Sequence, residues 1–457
     1  MSKMIHAEMI RSGWCASALV LLAAACSGET VDLGEVSRDI TSSSSQCQES
    51  TLVAGDVLVE DQAQLDALVG CEEIEGNLYV RPFADADFTP LASLTRVGGA
   101  LDIGRRTAFD SATLTPDLQD QLPDVMAQED ALLAAGCFSS LEGFENLASA
   151  GSLALAGVGA SNLVSFSNLS ALTNGGLLQI SDCSAPISLT GLERLQGVVE
   201  LTVQCNTLES LAGPRFTARM GDIYVSGTIL SDLGALAPES VKDLRVEDTA
   251  LENLDAFSKL SRATSIDIYG NPLLTNANAL DALFIVGSLR IASSPLLERV
   301  PDLTQLYQLD MLSLLGNDAL INVPALPSVA PLPFGGEWGN FAPSDALRVR
   351  PDVIEINGNA SLESIAIPGG WLAASYIDIG GNDNLTSIDL ANIHAVDGLS
   401  IFTNPALATV NLGQLETVDD LRIIDNPLLP LGPFDDVQTF RRIVQSGPLT
   451  PEQLEQL

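Results

Sequence analysis

Few residues of this chain could do covalent chemistry. A Ser-His-Asp or Cys-His mechanism needs an imidazole that titrates near neutral pH, and only His6 and His394 are present. His6 falls in an N-terminal stretch that reads as a removable signal. His394, in Leu390-Ala-Asn-Ile-His394-Ala-Val396, has no nucleophile motif beside it and reads as a loop histidine. Glu355 and Asp378 form the other candidate set, because each is the middle residue of an apolar–x–apolar triplet. In stacked strands they would be neighbours about 5 Å apart, close to the separation of paired glycosidase carboxylates. They would sit on an open strand face with no aromatic platform or basic cluster in register, so catalysis is not expected. Cysteines and histidines show no zinc spacing, no compact Asp/Asn/Gly loop has calcium spacing, and no cofactor or metal is implied.

What must position these residues is a repeat. Fourteen triplets open at Leu78, Leu101, Leu153, Leu178, Leu201, Ile223, Leu244, Ile266, Leu289, Leu312, Ile354, Ile377, Leu399 and Leu421, mostly 21 to 25 residues apart. A unit of that length cannot bury its own apolar face, so it stacks on its neighbours as a solenoid. The copy Ile266-Asp-Ile268-Tyr-Gly-Asn271-Pro-Leu-Leu274 shows the logic. Strand alternation points Ile266 and Ile268 inward and Asp267 outward. Beyond it, Ala277, Leu280, Leu283 and Val286 recur every three residues, as in a chain bending around a narrow core. Three residues after the second apolar position stands Asn206, Asn271, Asn317, Asn359, Asn382, Asn404 or Asn426. An inward Asn there could satisfy turn amides and stack on the next coil's Asn. By the same alternation Arg245, Asp267 and Arg290 predict a charge ladder from rung to rung.

The pattern resembles the leucine-rich repeat, with its Leu-x-Leu-x-x-Asn core, and more closely the receptor L domain. Gly70-Cys71-Glu-Glu-Ile74-Glu-Gly76-Asn-Leu78-Tyr-Val80 is similar to that family's first rung, and Leu91, Leu94, Val97, Gly98, Gly99, Leu101 and Ile103 to its second. The resemblance implies a mainly β fold, a right-handed parallel β-helix or leucine-rich-repeat-like solenoid of about 14 to 16 coils. It also implies a disulfide in the N-terminal cap, a place that Cys47 and Cys71 fit. Such solenoids mostly present surfaces, so a binding or adhesion role is expected, with a structural envelope scaffold as the alternative and a β-helix polysaccharide-active enzyme as a weaker one.

Lys3 and Arg11 precede the uncharged run Ala16 to Ala25, which ends at Cys26. The run is too short to span a bilayer and reads as a secretion signal over 1–25. Small residues before the cysteine resemble the bacterial lipobox, with Ala23 in place of its usual Leu, which makes Cys26 the acylated N-terminus and the lipid, palmitate for instance, the membrane anchor. Residues 26–46, with Ser42 through Ser45, suit a flexible tether. Ser27 stands where an Asp would favour inner-membrane retention, so the outer membrane or cell surface is expected. Formal net charge is −38, a field that repels nucleic acid and leaves a protein or glycan as the expected ligand. Cys183 and Cys205 lie 22 residues apart at nearly one phase of adjacent coils, within disulfide reach. Cys137 is left over as a buried thiol.

The solenoid is expected over 47–434, with two interruptions. In the first, at about 104–136, Thr115-Pro116-Asp117 starts a helix. The second, at about 327–350, is an irregular loop in which Phe334, Trp338 and Phe341 gather aromatics in a chain that is only 5% aromatic, and these three are the binding candidates. Val437, Phe440, Ile443 and Val444 have helical spacing and predict a helical C-terminal cap over 435–457.

Overall fold

The computed structural model describes residues 51–447 apart from 82, 84–85, 105–139, 157–165, 174–175, 184–185, 324–351, 368–373, 392, 394, 414, 416, 436 and 446. The chain divides into two compact units, Met1–Leu195 and Gln196–Leu457. Each is a parallel β-solenoid.

In the first unit the strands Leu78–Val80, Arg96–Ile103, Ser149–Ala156 and Leu177–Ser181 stack in register, Leu78 on Leu101, Leu153 and Leu178. Arg96–Ile103 pairs directly with Ser149–Ala156, so no rung of this sheet lies between them despite the long gap in sequence. The helix read in that gap lies outside the described residues. A short helix, Gln62–Asp66, is capped by Asp61, whose carboxylate accepts from the Gln64 amide at 2.9 Å, and it buries Leu65. Cys71 is buried and disulfide-bonded; Cys47, its expected partner, lies outside the described residues.

In the second unit the strands run from Glu200–Gln204 to Gln438–Gln445. A smaller parallel sheet is formed by Ser364–Ala366, Ser387–Asp389 and Thr409–Asn411. The coil around Ile266 behaves as its spacing requires. Ile266 and Ile268 are buried and Asp267 half-buried, and after the strand Leu274, Ala277, Leu280, Leu283 and Val286 each drop into the core. The spacing of three is that of a 3-10 turn, seen at Asn278–Leu280.

The corner after each strand is built alike in eight coils. One residue takes a left-handed conformation: Asp248, Gly270, Ser293, Gly316, Gly358, Gly381, Thr403 or Asp425, with φ from 50 to 70°. Glycine is at ease there, whereas Asp, Ser and Thr accept about 1 kcal/mol of strain. The next residue turns inward and is fully buried: Thr249, Asn271, Ser294, Asn317, Asn359, Asn382, Asn404 or Asn426. Each Asn carboxamide accepts the backbone N–H of the previous coil's residue and donates to a strand carbonyl of that coil; Asn359 N reaches Asn382 Oδ1 at 2.9 Å, and Asn382 Nδ2 reaches Ile356 O at 2.9 Å. A buried amide left unpaired would cost about 1–3 kcal/mol, so this ladder is what makes a polar spine tolerable in the core.

Two expectations fail. Asn206 is exposed and outside the spine, because Cys205 takes the buried place one residue earlier. The C-terminal segment is not a helical cap where it is described: Gln438–Gln445 is a strand, paired in parallel with Thr417–Ile424. The apolar spacing of Val437, Ile443 and Val444 admits a helix, but the open backbone edge of Thr417–Ile424 supplies hydrogen bonds that a helix would leave unmade. Arg442 sits in register with core Leu421, stays exposed, and pairs with Asp435 at 3.2 Å. A charge in the core column discourages another strand from adding at that point. Residues 448–457 lie outside the described residues.

Candidate functional site

Residues that alternate with the core positions of the second unit point outward and stack in register: Tyr224, Arg245, Asp267, Arg290, Ser313, Glu355, Asp378, Ser400 and Arg422. Strands about 4.8 Å apart turn this column into a continuous polar row on a rigid sheet. Arg290 pairs with Asp267 at 3.2 Å and lies over the Tyr269 ring, 5.3 Å from its centroid. Arg245 does not extend the expected rung-to-rung ladder. It pairs with Glu247 on its own strand at 2.8 Å and lies over the Tyr224 ring at 5.0 Å, while the Tyr224 hydroxyl donates to Glu247 at 2.9 Å. The nearest partner is two residues along the same face, and the adjoining ring fixes the guanidinium plane.

Glu355 and Asp378 are register partners, as their spacing implies. Ser313, fully buried, donates its hydroxyl to Glu355 at 3.0 Å, and Asn357 Nδ2 donates to Asp378 at 3.2 Å. Contrary to expectation, this part of the face does carry aromatics. Tyr376 and Phe402 lie two residues either side of the triplet centres, on the outward parity of their strands. A Cβ built on Gly380 would meet Phe402 Cζ, Cε1 and Cε2 at 2.2 to 2.5 Å, near-equal distances that place the glycine beneath the face of the ring. Gly398 meets the Cδ2–Cε2 edge of Tyr376 instead. Burial, and then the charge of Asp378, push the Tyr376 hydroxyl above its ordinary range, partly offset by Arg422 and by a hydrogen bond with Ser400. Arg422 grips Asp420 through two bonds, at 2.7 and 3.2 Å, which holds its proton more firmly still.

The aromatics escape a reading restricted to triplet centres, yet the signal is present: in Tyr376-Ile377-Asp378-Ile379-Gly380 the alternation simply continues past the triplet. Of the candidates read from sequence, Cys183 and Cys205 are each disulfide-bonded. Cys26, Cys137, His394, Phe334, Trp338 and Phe341 lie outside the described residues. The strands Met311–Leu315 and Val353–Asn357, which precede and follow the aromatic loop in the sequence, pair directly and set Ser313 beside Glu355. Among the described residues no group of three His, Cys, Asp or Glu side chains could hold a metal ion.

Each of the two units is a leucine-rich-repeat-like parallel β-solenoid. No protein-family model and no curated protein matches it. Similar solved structures include TLR13 in complex with ssRNA13, at 16% identity and TM-score 0.32 over 85% of this chain and 61% of that one. Toll of Drosophila, in complex with Spatzle, matches at 13% identity and TM-score 0.33, over 86% and 52%. An LRR protein of Leptospira interrogans matches at 12% identity and TM-score 0.22, over 98% and 97%. The chain thus spans about three fifths of the TLR13 chain and half of the Toll chain. At these identities the likeness concerns the fold alone.

Proposed function

We propose that this protein is a lipid-anchored component of a bacterial cell envelope that binds a partner on the outward strand face of its second unit and catalyses no reaction. The observation that carries the reading is the row from Tyr224 to Arg422, in which charged, aromatic and hydroxyl side chains are held at strand spacing on a rigid face. Interface energy concentrates in a few aromatic and Arg anchors, and Tyr224, Arg245, Tyr269 and Arg290 already sit in fixed orientations, so little side-chain entropy is lost on binding. Glu355 and Asp378 stand half-buried on the outward side of a sheet, bonded to Ser313 and Asn357, unlike the enclosed site that glycoside cleavage favours. The anchor rests on the lipobox-like run before Cys26, and the net charge of −38 disfavours nucleic acid as the partner.

The test is retention of envelope proteins and of glycans by a soluble form starting at residue 27, compared with the same form carrying R245E and R290E. Loss of a retained ligand in the variant supports the strand face as the contact surface; unchanged retention moves the contact elsewhere. Trp338→Ala separates the aromatic loop from the face, since loop binding predicts weakening by about 1 kcal/mol or more with an unchanged melting temperature.

A further inference from the structure

On the strands Ala374–Gly380, Ala395–Phe402 and Thr417–Ile424, five outward side chains surround a shallow cup. Phe402 lies face-down on Gly380, so its second face is turned to solvent, and the residue is partly exposed. Tyr376 stands with its edge on Gly398 and forms the opposite wall. Ser400, 7% exposed, lies between the two and is hydrogen-bonded with the Tyr376 hydroxyl. Asp378 and Arg422 lie on either side of it in the same register column, two strand spacings or roughly 10 Å apart at the backbone. Only glycine at 380 and 398 lets both rings lie across neighbouring strands, so the cup is written into two pairs of residues.

We propose that this cup is a subsite for one pyranose unit of an uncharged glycan. This rests on the strand-face reading above and names its ligand class. A pyranose offers an apolar C–H face and a rim of hydroxyls. The solvent-side face of Phe402 suits the former, since the negative ring face attracts polarised C–H bonds. Asp378 as acceptor and Arg422 as donor suit hydroxyls on opposite sides of the latter. Arg422 is already compensated by Asp420 and Asp378 is held by Asn357, so the cup presents hydrogen-bonding groups without a free cation and favours a neutral ligand over an anionic one. A peptide strand is the less suitable occupant, because the backbone of all three strands is paired within the sheet and offers no edge here.

The full-length protein in detergent is titrated calorimetrically with cellohexaose, laminarihexaose, chitohexaose and mannohexaose, alone and as Phe402→Leu and Asp378→Asn variants. Leucine keeps Gly380 covered but removes the ring face, so at least one sugar should bind the native protein and lose about tenfold in affinity on F402L, with the melting temperature held within about 2 °C. D378N should weaken the same sugar. If a sugar binds and F402L is indifferent, the subsite is overturned while a glycan-binding face survives. If no sugar binds but an envelope protein is retained in a manner sensitive to R245E and R290E, the glycan inference is overturned and the binding reading stands; failure of both retires both.

Discussion

Asn382 and Asn404 are joined twice across adjacent coils: the backbone N–H of Asn382 donates to Asn404 Oδ1 at 3.1 Å, and Asn382 Nδ2 reaches the same oxygen at 3.2 Å. Asn404 repeats the arrangement with Asn426 at 3.0 and 3.1 Å. Removing the carboxamide of Asn404 strands a buried N–H on Asn382. Asn404→Ala should therefore cost about 1–3 kcal/mol in urea denaturation, whereas exposed Asn206→Ala should stay within about 0.5 kcal/mol. Equal costs would mean that the spine contributes no more than a surface turn.

Inward and outward positions of one strand should differ in the same way. Ile268→Asp buries a carboxylate with no partner and should cost several kcal/mol. Asp267→Ala removes a half-exposed pair with Arg290, worth at most about 1 kcal/mol. Comparable melting temperatures for the two variants would refute the strand phase.

Acid stability should depend on Asp232. The Ser210 hydroxyl and the Gly234 amide, in that order, bond its carboxylate and lower its pKa below the ordinary 3.8. A depressed folded pKa contributes stability that is present above the unfolded value and is lost as pH falls through the folded one. Ser210→Ala should bring the Asp232 titration back towards 3.8, followed by NMR, and move the onset of acid unfolding to higher pH. The carboxylate is largely solvated, so the shift should be small; an onset that moves to lower pH has the wrong sign for this account.

Cys183 and Cys205, both oxidised, should be found in one peptide when the protein is digested without reduction. Closing a loop of this length constrains the unfolded chain by about 3 kcal/mol, so C183S/C205S should melt measurably earlier. Recovery of either cysteine linked to Cys137 would reassign the pairing.

If Cys26 carries the lipid, Cys26→Ser should abolish labelling by palmitate analogues and move the protein from the membrane fraction to the soluble one. A mutant that stays with membranes would need another anchor.

The sequence determines the period, the inward residues and the outward charges, because these follow from a strand's two-residue alternation and a coil's need to bury its apolar side. It also places most of the spine, since an inward Asn three residues past the second apolar position meets the neighbouring coil's amide, as Asn271, Asn317, Asn359, Asn382, Asn404 and Asn426 do. Other features depend on which backbone groups remain free once coils stack, and this no local pattern reveals. Gln438–Gln445 became a strand because Thr417–Ile424 offered an edge. Cys205 displaced Asn206 from the interior because one buried place was available to two candidates. The two long gaps added no rung to the sheet, since Ile103 already stacks on Leu155 and Leu312 on Ile354. The cup around Ser400 exists only because register sets Phe402 beside Gly380 and Tyr376 beside Gly398, residues 22 apart in the chain whose contact arises from stacking alone.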